Sequence, residues 1–159
     1  MIQRVQSLFL LCAAVCFGVA CLVPIGTIDV GGINCVYSPW FLIQDNLTAV
    51  IQETYYIGLL MVILAVTSFV AIFFYKNRAL QSKICMAALF IGIVLMVLMV
   101  YVYPDVVFAK KFGVARIQYY GNGYFPWVLL SFISLACLYL ANRFIIKDEK
   151  RVRAADRLR

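Results

Sequence analysis

The stretch YYIGLLMVILAVTSFVAIFFY, residues 55–75, decides the fold: 21 residues without a charge. A helix that crosses a bilayer needs about 20 mostly apolar residues. Backbone groups in lipid must be satisfied within the segment, so a run of this length reads as a helix. Working outward, Val5–Val23, Ile84–Tyr103 and Pro126–Ile146 repeat the pattern, and the only charge in them is Arg143. Arg143 falls near a last turn, where its long side chain can snorkel to the interface. The chain is 65% hydrophobic and 13% charged, against roughly 45–50% and 25% in soluble domains. That balance excludes a disordered chain. The six cysteines sit mostly inside apolar runs, which excludes a disulfide scaffold. Strand-length alternation of the barrel type is missing. The expectation is an all-α membrane protein: one integral domain over residues 1–159, a four-transmembrane-helix bundle with spans at about 5–23, 55–75, 84–103 and 126–146, and a helical tail at 147–159.

The flanks orient the spans. Arg4, Lys76, Arg78, Lys83, Arg143, Lys147, Lys150, Arg151, Arg153, Arg157 and Arg159 lie on one side, and Lys110, Lys111 and Arg116 on the other. The positive-inside rule therefore places both termini in the cytoplasm. The net charge of +7 is mostly this asymmetry, and no soluble face is left for nucleic acid. Tyr55, Tyr56, Tyr101, Tyr103, Phe125 and Trp127 fall at outer ends and Phe73, Phe74 and Tyr75 at an inner one, as interfacial belts do. The N-terminal run has a rival reading as a signal peptide cut before Cys21, but Gly18 is a poor residue three before such a cysteine and the chain stays apolar through Val23. It is expected to stay uncleaved.

Ala14/Gly18, Ala88/Gly92 and Cys137/Ala141 place small residues four apart, a spacing that lets helices approach closely. The first outer loop carries a hairpin signal, Gly31-Gly32 between Thr27–Val30 and Ile33–Tyr37. That register sets Val30 opposite Ile33 and Ile28 opposite Cys35 on an apolar face, with Asp29 and Asn34 on the other. Val114–Tyr120, ended by Gly121-Asn122-Gly123, offers a third strand, so a small extracytoplasmic hairpin or sheet is expected from the two outer loops. Ser38-Pro39 reads as a cap and first helical turn before an interfacial re-entry. The second helix is expected to start as early as Leu47 or Thr48.

The chain has no histidine. That removes His-ligated haem, histidine zinc sites and Ser-His or Cys-His dyads. No cysteines form a C-x-x-C pair. Cys35 lies outside and Cys21 near the outer boundary, which makes them the candidate disulfide in an oxidising compartment. Proton and ion pumps need ionisable groups at membrane depth, and none is found. Gln6, Thr67, Ser68, Ser131 and Ser134 are the polar groups expected there, and Ser and Thr can bond their own helix backbone. No span has an interior proline to break it. No enzyme activity, catalytic residue, metal or cofactor is expected. In the tail, Glu149 and Arg153 form an i,i+4 pair, and Val152, Ala155 and Leu158 line a narrow apolar strip, a pattern that suits a lipid-touching anchor or a docking helix.

Three stretches together carry a resemblance: MIQRVQSLFLL at the start, FYKNRALQSKIC in the inner loop and IIKDEKRVRAADRLR at the end. Over essentially the whole chain the sequence resembles domain-of-unknown-function family 4293, small four-helix membrane proteins of Bacteroidota. The resemblance implies a Gram-negative inner-membrane protein with a periplasmic outer side. It implies no activity and no site residues. Its motifs fall at residues 1–4, 75–85 and 147–159, so the shared role is expected to face the cytoplasm. Claudin-like proteins are similar in topology alone, and their loop pattern is reduced here to Trp40 and Cys35. The leading expectation is a non-enzymatic scaffold or accessory subunit of a membrane complex. Its contacts with a protein partner or with membrane lipids would run through Lys76, Arg78, Lys83, Lys147, Lys150, Arg151, Arg153 and Arg157. The alternative is a lipid- or small-molecule-handling protein.

Overall fold

A computed structural model describes residues 2–30, 33–44, 50–108, 110, 118–120 and 124–157. Among the described residues four helices are packed side by side: α1 (Ile2–Ala20), α2 (Tyr55–Val70), α3 (Arg78–Val97) and α4 (Tyr124–Arg157). A 3₁₀ turn, Ala71–Lys76, prolongs α2, and a π-helical segment, Leu98–Phe108, prolongs α3. Helix α1 packs mainly on α4 and α2, and α3 mainly on α4. Three stretches are long and apolar enough to cross a membrane, Tyr55–Tyr75, Arg78–Tyr103 and Pro126–Val152, while the apolar part of α1, Val5–Ala20, is shorter.

Each helix buries one strip and leaves an apolar outer face. Leu10, Ala13 and Phe17 of α1, Met61 and Leu64 of α2, Ala88 and Leu95 of α3, and Leu138, Ala141 and Ile145 of α4 are buried together, whereas Leu8, Leu59, Phe90 and Phe132 point outward exposed. The small-residue pairs divide. A Cβ on Gly92 would stand 2.8 Å from Leu135 Cδ2, so α3 and α4 do approach closely there. A Cβ on Gly18 would meet nothing within 4 Å; α1 uses Ala13 and Phe17 at its contact instead of Ala14 and Gly18. Thr67, Ser68, Ser131 and Ser134 donate to carbonyls in their own helices, at 2.7–2.9 Å. Trp127, expected in an outer belt, is buried, and among the described residues its indole N–H has no partner.

The helices depart from expectation at three places. Residues 76–83 are not a loop. The connection between the 3₁₀ turn and α3 is the single residue Asn77, because it serves both helices. Its N–H donates to Phe74 O (3.0 Å) and closes the 3₁₀ turn, while its side-chain oxygen accepts from Leu80 N (3.2 Å) and caps α3. Asn77→Ala is expected to cost about 1 kcal/mol, as loss of an N-cap does, with Asn77→Asp close to wild type; equilibrium unfolding in detergent measures both. The second departure is Pro104, which lies inside the prolonged α3 rather than after it. Proline has no N–H to give and crowds the carbonyl four residues back; wider π turns accommodate that misfit. The third is Asn142, a further buried polar group within α4.

Beyond one end of the helices lies a five-stranded antiparallel sheet in the order β4-β3-β2-β1-β5. Its strands are β1 (Gly26–Val30), β2 (Ile33–Tyr37), β3 (Phe41–Gln44), β4 (Val50–Glu53) and β5 (Gln118–Tyr120). The β1–β2 register is the expected one, Val30 opposite Ile33 and Ile28 opposite Cys35; the Gly31-Gly32 turn lies outside the described residues. The third strand is present as β5, which pairs with β1 from Thr27↔Tyr120 to Asp29↔Gln118; 114–117 and 121–123 lie outside the described residues. Neither β3 nor β4 was anticipated. After Ser38-Pro39 the chain turns back into β3 rather than into a helix, held by Ser38 N donating to Phe41 O (3.0 Å) and by Phe41 N donating to Ser38 Oγ (3.1 Å). Helix α2 starts at Tyr55, not near residue 47, because Val50–Glu53 pairs with β3 across a bulge between Leu42 and Ile43. Ile28, Cys35, Tyr37 and Leu42 form the buried face of the sheet.

Candidate functional site

Two places in the molecule gather polar or open features. At the end of the helices away from the sheet, long side chains tie different elements to one another's backbones. Gln6 Nε2 of α1 donates to Phe144 O of α4 (3.1 Å), and Gln81 Nε2 of α3 donates to Ala71 O (2.9 Å), where α2 tightens into its 3₁₀ turn. Ser82 Oγ donates to Asn142 Oδ1 (2.7 Å). Arg78 pairs with Asp148 (Nη1 to Oδ2, 2.9 Å) and reaches its carbonyl at 3.5 Å. Gln6, Gln81 and Asn142 are all buried. Each hydrogen bond satisfies a group that would otherwise cost about 1–3 kcal/mol in an apolar surrounding. The effect is to clamp α1 and α3 onto α4, and the prolonged α2 onto α3.

The expected contact residues divide around this clamp. Arg78 is part of it. Lys83 on α3, and Lys147, Lys150 and Arg151 on α4, are exposed. Lys76, Arg153 and Arg157 lie in helical backbone, with side chains outside the described residues. So does the Arg153 end of the expected pair with Glu149. Lys147 and Arg151 line a pocket of about 250 Å³ with Val5, Phe144 and Asp148. Sequence reasoning missed Gln81, Ser82 and Asn142. Asn142 interrupts an apolar run and could have been noticed; nothing local marked Gln81 and Ser82, whose partners are on other elements.

The second place is a laterally open apolar groove of about 430 Å³ between α3 and α4. Leu89, Ile93, Met96, Phe132 and Tyr139 are among its walls.

At the junction with the sheet Cys21 and Cys35, the expected disulfide pair, are both buried. Cys21 is held against α2, its Sγ 4.0 Å from Gly58 O, and its carbonyl accepts from Trp40 Nε1 (2.8 Å). Trp40 is therefore a strut between α1 and α2 rather than a free headgroup anchor. Tyr37 OH donates to Met99 Sδ (2.9 Å), fastening β2 to the prolonged α3. Among the described residues no three Cys, Asp or Glu side chains gather as a metal site.

Packed helices of which three could span a bilayer, carrying a small antiparallel sheet at one end and a polar clamp at the other, define a class of apolar helical protein with a sheet cap. The chain belongs to the family described as a domain of unknown function, DUF4293, whose model matches residues 2–158. No curated protein and no solved structure matches it.

Proposed function

We propose that this chain is a non-enzymatic four-pass protein of a bacterial inner membrane that serves as a scaffold or accessory subunit, docking a partner on its cytoplasmic side. The observation that carries the reading is the length of α4, which is continuous over 34 residues to Arg157. At 1.5 Å per residue that is roughly 50 Å, against a hydrocarbon core of about 30 Å. One pass leaves roughly 20 Å of helix beyond the hydrocarbon core, including the charged end that runs past the clamp. The exposed apolar faces of the helices suit lipid as their solvent, since a soluble monomer rarely exposes so large a patch. Helix α1 runs for 19 residues, roughly 28 Å, close to the thickness of the hydrocarbon core, and an apolar turn of Cys21, Leu22 and Val23 follows it, which suits a fourth pass. The eleven-to-three distribution of Lys and Arg puts the clamp in the cytoplasm and the sheet in the periplasm. The resemblance to Bacteroidota proteins agrees with that setting.

Deleting residues 152–159 tests the docking role. In affinity purification from native membranes in mild detergent, the truncated chain is expected to lose the protein partner that the full chain retains. An unchanged set of co-purifying proteins would sink the scaffold reading. The open groove between α3 and α4 favours the second reading, a protein that handles lipid or a small apolar molecule. That reading requires bound lipid in the same purified material, retained equally by the full and truncated chains.

A further inference from the structure

The seam between the start of α1 and the second half of α4 holds the pocket formed by Val5, Phe144, Lys147, Asp148 and Arg151. The four α4 residues follow the spacing i, i+3, i+4, i+7, so they form one stripe of the helix. Phe144 is fixed in place, its ring stacked on Phe9 (centroids 5.7 Å, planes 9° apart) and its carbonyl taken by Gln6. Asp148 is the one acid of the pocket, and Arg78 holds its carboxylate from the α3 side. Lys147 and Arg151 are therefore left as two exposed like charges one turn apart, and among the described residues neither makes an ion pair. Such a pair repels on a bare helix. An anion placed between the two turns repulsion into attraction, and the guanidinium can offer it two parallel donors.

We infer that this pocket binds the phosphate of an anionic phospholipid, with Lys147 and Arg151 flanking the phosphate and Val5 and Phe144 receiving the first part of an acyl chain. A free phosphate would use the two cations but not the apolar wall. The inference rests on the membrane-spanning reading above, which sets the pocket at the headgroup level, just past the end of the apolar run at Ile146. It adds the chemistry of the ligand.

The full-length protein in nanodiscs of phosphatidylcholine with a minor share of phosphatidylglycerol of the same chain length tests it. Native mass spectrometry reads the lipids retained on release. The wild type retains phosphatidylglycerol preferentially, and Lys147→Gln/Arg151→Gln lowers that preference by roughly thirty-fold, as expected for two cations near an anionic headgroup. Val5→Glu, which puts a carboxylate in the pocket while keeping both cations, lowers it as well. Lys110→Gln/Arg143→Gln removes the same charge elsewhere, at two exposed positions, and leaves the preference intact. An equal loss in that control overturns the site in favour of diffuse surface charge. Displacement of the retained lipid by inorganic phosphate alone overturns the lipid as ligand. A chain stripped from native membranes by alkaline carbonate defeats the membrane-spanning reading itself, whereas an embedded chain with no preference defeats the site only.

Discussion

Gly58→Val is expected to destabilise the protein by roughly 1–3 kcal/mol, on the order of 5 °C in Tm. The reason is the close approach of Trp40. Even the Cβ of an alanine at 58 would stand 2.7 Å from two atoms of the indole and 2.9 Å from a third. The indole cannot swing aside cheaply. Its N–H is committed to Cys21 O, its own carbonyl accepts from Thr54 N (2.9 Å), and the neighbouring Pro39 carbonyl accepts from Gly58 N (3.1 Å). Relief by rotation would break the link between the end of α1 and the start of α2 and loosen the sheet from both. Thermal unfolding of the purified protein in detergent measures the loss. A double variant with Trp40→Leu should be less destabilised than the two single changes predict together, because the clash vanishes with the ring. Additive effects, or a wild-type Tm for Gly58→Val, would show that the approach is not a constraint.

Arg78→Glu is expected to cost about 2 kcal/mol, between the values for exposed and buried pairs, since the Arg78 and Asp148 side chains are 26% and 15% exposed. The substitution sets two carboxylates against each other across the α3–α4 seam. It also has a consequence at the neighbouring pocket. Freed of Arg78, Asp148 lies three residues before Arg151 on the same helix and can neutralise it. Arg78→Glu should therefore weaken both the fold and the retention of an anionic lipid. The exchange Arg78→Asp/Asp148→Arg restores the pairing, and it is expected to recover most of the stability. If the exchange is no better than Arg78→Glu alone, the pair is incidental to the seam. Unfolding in detergent gives the first readout and lipid retention in nanodiscs the second.

The β1–β2 register was legible in the sequence because a Gly-Gly turn and a two-residue alternation are local signals that agree. The next strand was not. Ser38-Pro39 also suits a helix start, and Phe41-Leu42-Ile43 is a short apolar run whose periodicity does not separate strand from helix. The edge of β2 decided it, by offering Cys35, Val36 and Tyr37 as partners to Gln44, Ile43 and Leu42. Residues 76–83 looked like a loop because Lys, Asn, Arg, Gln and Ser crowd there. They are helical because Asn77 caps them and because Gln81 and Ser82 find partners on the prolonged α2 and on α4.

The sequence by itself determined the long apolar segments, the uneven placement of Lys and Arg, and the hairpin, since each depends on residues close together in the chain. Only the tertiary structure decided which charges are spent and which remain available. Asp148 could have answered Lys147 or Arg151 beside it, and it answers Arg78, 70 residues away. Cys21 is likewise met from afar, by Gly58 of α2 and by Trp40. Pairings of this kind depend on how helices close against each other, and helix packing is set by the shapes of whole faces rather than by any local run of residues.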